Sequence, residues 1–266
     1  MWQKYKLVII SGIIIPVLYL TLQIAAAMTR VNLDKDTLCP TNRDIGRHIV
    51  FLVDQTDPLT NSQKDYLLNR VRGLRAELKR FDRMSIYTIE DQGKLPDLRF
   101  SLCNPGSKAD LDKDWWLNRF NTASWWERDY KNKFEAPLLT VADDLTRAGS
   151  LAESHISATI SLVSRTEGFT SDLSNRRLVI LSDLLENTPA YSQYAERSGG
   201  DLSLARFEAA APGLPPELAG TEVEIVYLAR ENGQKVQSEK HLEFWRGYFQ
   251  KYGATAVSVV SPWPVR

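Results

Sequence analysis

The chain is short of the residues that most often carry catalysis. Among 266 residues there are two cysteines and three histidines, and 33 Lys and Arg balance 33 Asp and Glu. Two cysteines cannot make a four-thiolate zinc centre, and no pair of them stands at zinc spacing. His48, His155 and His241 are scattered, one opening an apolar run and two in helical segments, so each reads as structural or solvated. No Gly-rich phosphate loop is present, since Ser198-Gly199-Gly200-Asp201 reads as a turn. A nucleophile elbow and a Ser/His/Asp arrangement are missing too. With no net charge there is no global field to attract nucleic acid, and no nucleic-acid partner is expected.

What is present begins with an uncharged stretch, Leu7–Met28, of 22 residues. As a helix it would be about 33 Å long, enough to cross a bilayer. It exceeds the apolar core of a usual signal peptide, which favours a retained anchor over cleavage after Ala25-Ala26-Ala27. Basic residues flank both sides (Lys4 and Lys6; Arg30, Lys35 and Arg43), so the positive-inside rule does not decide orientation. The short basic head and the low cysteine count favour export. Cys39 precedes the first strand and Cys103 follows an early one, so they either pair as a disulfide or stay as unrelated thiols. The expected location is an inner, plasma membrane of bacterial type, single-pass, with the C-terminal domain periplasmic.

Residues 1–29 therefore read as an anchor, 30–47 as a polar tether, and 48–266 as one α/β domain. Within it, His48–Val53, Met84–Ile89, Leu98–Leu102, Arg177–Leu181, Val223–Leu228 and Ala256–Val260 read as strands. Helices are expected from Thr60 through Phe81 and at Leu138–Thr146, Leu151–Arg165, Leu204–Ala210 and Glu239–Tyr252. Such alternation predicts a doubly wound, mostly parallel sheet with helices on both faces. A Trp-rich insertion at about 107–137, with Trp115, Trp116, Trp125 and Trp126, is either a local elaboration or a partner- or membrane-contacting surface.

Two apolar runs end in aspartates, Asp54 and Asp183. Carboxylates there stand at the carboxyl edge of the sheet, where open α/β sheets place ligands. In this order of elements, over about residues 48–260, the chain resembles the von Willebrand factor type A (vWA) domain, a Rossmann-like fold. That resemblance implies a metal-ion-dependent adhesion site with an Asp-x-Ser-x-Ser motif, here Asp54-Gln55-Thr56-Asp57-Pro58. It implies a middle hydroxyl at Ser150 and a last carboxylate at Asp183. Asp54, Thr56, Ser150 and Asp183 would hold Mg²⁺ or Mn²⁺, hard cations that accept oxygen ligands. Pro58 departs from the motif, having no side-chain oxygen where the second serine belongs.

The resemblance implies a protein-binding domain, not an enzyme. Partner contacts would come from a rim including Gln55, Asp57, Glu186 and Asn187, within a membrane-associated complex. One alternative resembles a haloacid-dehalogenase-like phosphatase, with Asp54 as nucleophile and Ser182 ending the second motif strand. Against it, Ala229-Arg230-Glu231 stands where an acidic pair would hold that metal. A metal-free structural interaction domain is the third reading.

Overall fold

A computed structural model describes residues 31–89, 96–107, 127–147, 151–170, 173–194, 202–210, 213–230 and 236–263, with Val17, Leu20 and Thr21. Apart from those three, the expected anchor lies outside the described residues, as do Trp115, Trp116, Trp125, Trp126 and Ser150. Among the described residues no helix is long and apolar enough to cross a membrane.

The strands are β1 (His48–Val53), β2 (Arg83–Thr88), β3 (Asp97–Cys103), β4 (Arg176–Ser182), β5 (Thr221–Tyr227) and β6 (Ala256–Val260). They form one sheet in the order β3-β2-β1-β4-β5-β6. All neighbours pair in parallel except β2 and β3, which are antiparallel. The helices are α1 (Asn61–Glu77), α2 (Ala136–Leu145), α3 (Ile156–Val163), α4 (Leu204–Ala210) and α5 (Glu239–Lys251), with a π-helical turn, Tyr130–Glu135, leading into α2.

Cover on both faces explains why Ile49–Val53 of β1 and Leu178–Leu181 of β4 are apolar at every position. Val50, Leu52, Leu178 and Ile180 face one core with Ile156 and Ile160 of α3 and Trp245 and Phe249 of α5. Ile49, Phe51, Val53, Val179 and Leu181 face the other, against Leu67, Val71 and Leu74 of α1 and Leu138 of α2. A strand covered on both faces has no polar side to show.

Two expected helices are shorter than their apolar pattern. The α1 pattern runs to Phe81, but the helix stops at Glu77. Asn104, just past β3, donates from Nδ2 to Leu78 O at 3.1 Å and Lys79 O at 3.2 Å, holding the chain that follows the helix, while Arg47 donates to Glu77 O at 2.6 Å. Phe81 then takes a left-handed φ of 71°, with its N–H on Asn104 O at 2.8 Å. The expected helix from Leu151 starts only at Ile156, because residues 151–155 are drawn toward the strand ends. Leu151 N–H donates to Thr56 O at 2.9 Å, and Ser154 forms a β-bridge with Asn187.

The thiols do pair: Cys39 and Cys103 form a disulfide, Cα–Cα 4.8 Å. The bond and the 2.9 Å hydrogen bond from Cys103 N–H to Thr37 O dock the segment before β1 against β3, an edge strand.

Candidate functional site

The strand order reverses between β1 and β4, and the crevice at such a switch point is where doubly wound sheets take ligands. Asp54 follows β1 there, and both oxygens of its carboxylate accept hydrogen bonds from the protein. Oδ1 accepts from Thr56 N–H at 2.9 Å and Thr56 Oγ1 at 2.6 Å, while Oδ2 accepts from Ser182 Oγ at 2.6 Å. The residue is completely buried, so it welds the β1 loop to the end of β4. Ser182 Oγ in turn accepts from Leu184 N–H at 2.8 Å, which holds Leu184 in a left-handed turn at φ 57°.

Asp183 lies on the other side of the switch point, 2% exposed. Its Oδ1 accepts from Leu185 N–H at 2.9 Å and its Oδ2 from Arg230 Nε at 3.0 Å. Burial raises its pKa well above the ordinary carboxylate range, the charge of Asp54 adds to this, and Arg230 opposes it. Arg230 Nη1 also donates to Pro58 O at 3.0 Å, and Nη2 reaches Asp57 O at 3.5 Å. Two buried glutamines set the loop that carries it. Gln237 accepts from Arg230 N–H at 2.8 Å and donates to Leu228 O and Asp183 O, and Gln63 donates to Ala229 O at 3.2 Å. Gln63 also belongs to the capping box of α1 with Thr60.

Above these groups opens a cleft of about 720 Å³, lined among others by Thr56, Asp57, Ser154, Asp183, Asn187 and Arg230. Ser154 is buried there, with its hydroxyl unpartnered among the described residues.

The expected metal ligands are thus brought together in part. Asp54, Thr56 and Asp183 converge, and Leu151, the neighbour of Ser150, is stapled to Thr56. As they stand, these residues do not fit a divalent ion. Both oxygens of Asp54 accept protein hydrogen bonds, Asp183 is engaged by a guanidinium, and Pro58 offers only a backbone carbonyl that Arg230 already holds. Among the described residues no cluster of three or more His, Cys, Asp or Glu side chains could hold a metal. Nucleophilic attack by Asp54 would meet the same obstacle, because an attacking oxygen must be open to substrate.

Of the rim residues, Asp57 and Asn187 line the cleft, and Gln55 lies beside it, donating to Leu145 O at 3.2 Å. Glu186 does not stand on the rim. It is 2% exposed and caps α3, accepting from Ser157 N–H at 2.9 Å and Ser157 Oγ at 3.1 Å. A helix start draws a carboxylate inward because its first N–H groups lack partners. His241 is also buried and networked: Nδ1 meets Tyr227 OH at 2.6 Å, and Nε2 lies 3.1 Å from Leu184 O. Neither role is visible from spacing along the chain.

Burial pushes the Glu186 carboxyl up to about 7 from 4.5, against its hydrogen bonds from Ser157. A raised folded pKa gives stability that is full below pH 4.5 and lost as pH rises through 7. Burial lowers His48 and His241 to about 4, which acts with the opposite sign, so the useful quantity is a difference between proteins. Relative to wild type, Glu186→Gln is expected to gain about 3 kcal/mol between pH 4.5 and pH 8. Urea unfolding at both pH values measures it, and an unchanged difference would refute the assignment.

No family model matches the chain, and neither does any curated protein. Among solved structures it is similar to the SpRpn10 VWA domain, at 9% identity, covering 83% of this chain and 90% of that one, with a TM-score of 0.29. Similarity that distant carries no argument about site or partner. The α/β, doubly wound architecture rests on this chain's own strand order and registers.

Proposed function

We propose that the chain is a vWA-like protein-binding domain, held at a membrane by its N-terminal segment and helping to assemble a membrane-associated complex. One observation carries the reading. The buried Asp54 and Asp183 flank the point where strand order reverses, under a cleft of about 720 Å³ walled by four converging segments. An open cleft with an exposed rim residue such as Asp57 can receive a side chain or loop of a protein partner. The Cys39–Cys103 bond supports placing the domain on the exported, oxidising side. The carboxylate of Asp54, buried and held by three hydrogen bonds, favours binding over the phosphatase alternative.

Charge reversal at the rim tests it. Asp57, about half exposed, changed to Arg should abolish the larger assembly on native gels of solubilised membranes. Glu167→Arg, at an exposed position next to Gly168 under the opposite edge of the sheet, should leave the assembly intact. Loss with Glu167→Arg but not with Asp57→Arg would place the interface elsewhere.

A further inference from the structure

We propose that Arg230 is the resident cation of the strand-end site, a guanidinium standing where an adhesion site would hold a divalent ion, so that the cleft engages its partner without metal. The proposal rests on the reading of that cleft as the binding face and specifies its chemistry.

Three features carry it. First, Asp54 and Asp183 are two buried carboxylates at one crevice, and a cation beside them opposes their mutual repulsion, as Arg230 does for Asp183. Among the described residues, Arg230 is the cationic side chain that pairs with Asp183, at 3.0 Å, and its own side chain is only 9% exposed. Second, Arg230 ties together the two strand-end loops from which Asp54, Thr56 and Asp183 come. One guanidinium joins the β4 aspartate to the backbone carbonyls of Asp57 and Pro58 in the β1 loop. Pro58 stands at the position where the motif loses its oxygen, and its carbonyl serves the arginine instead. Third, the arginine is set in place rather than draped. Its N–H is bound by Gln237, the preceding carbonyl by Gln63, and both glutamines are buried. A fixed fork of N–H donors suits this bridging role better than a flexible ammonium.

Mn²⁺ titration of the purified full chain, read by the paramagnetic signal of free Mn²⁺, tests the proposal. No saturable uptake is expected at millimolar Mn²⁺, and the membrane assembly should persist in excess EDTA. Stoichiometric Mn²⁺ binding that Asp183→Asn removes, or an assembly lost in EDTA and restored by Mn²⁺, would overturn it. Arg230→Ala should lower the melting temperature, and millimolar ethylguanidinium should raise it again in the variant but not in wild type. A variant that melts like wild type would also overturn it. Should Arg230→Ala fail to fold, the wild-type Mn²⁺ and EDTA arms decide. Failure of the Asp57→Arg experiment would remove the binding face and leave the cation assignment standing, so the two are separable.

Discussion

Replacing both Cys39 and Cys103 by serine is expected to lower stability by about 4 kcal/mol, the loop-closure value for a bond of this span. The cysteines are 64 residues apart, and the loop they close holds β1, α1, β2 and nearly all of β3. Cutting it frees the unfolded chain and also loosens the docked segment whose Thr37 carbonyl covers Cys103 N–H on the edge strand. Urea midpoints with and without reductant should separate in wild type and coincide in the double variant. A loss below about 1 kcal/mol would mean that the segment before β1 adds little to the fold.

Asp54→Ala is expected to cost about 3 kcal/mol, by leaving Thr56 N–H and the hydroxyls of Thr56 and Ser182 without their acceptor in a dry site. The cost is structural as well as local, because those bonds hold two loops across the switch point. Amide exchange at Thr56 should accelerate with it. Asp57→Ala, three residues along the same loop and about half exposed, should change stability by no more than about 0.5 kcal/mol. Equal effects from the two substitutions would contradict the welding role given to Asp54.

Much of this fold is written in local pattern. The apolar runs at His48–Val53 and Arg177–Leu181 are buried strands because both faces of the sheet are covered, and the order of elements predicts the doubly wound sheet. The ends of elements were harder to read. Phe81 keeps the helical spacing of α1, yet the helix stops before it, and Asn104, distant in sequence, holds the chain that follows. Leu151 through His155 read as helix, but hydrogen bonds to Thr56 and Asn187 hold them out of it. Between β2 and β3 the antiparallel edge is signalled by a short connection and by the turn-like Asp91-Gln92-Gly93.

The site was legible in its carboxylates and not in its cation. Asp54 and Asp183 stand out because each breaks an apolar run. Arg230 also stands out, as a basic residue after a buried strand where an acidic pair would hold a metal. Sequence reading takes it only as evidence against the phosphatase. Its pairing with Asp183 depends on two glutamines, Gln63 and Gln237, that no spacing rule connects. Glu186 shows the converse error: a carboxylate on a presumed rim turns inward because a helix start lies beneath it.

The strand-end cleft is the proposed face that meets another protein. A photo-crosslinking residue at Asn187, on the wall of that cleft, in the full chain tests this most directly. Irradiation should give a discrete protein adduct from Asn187 and none from Glu167, under the opposite edge of the sheet. Adducts from Glu167 with none from Asn187 would contradict it.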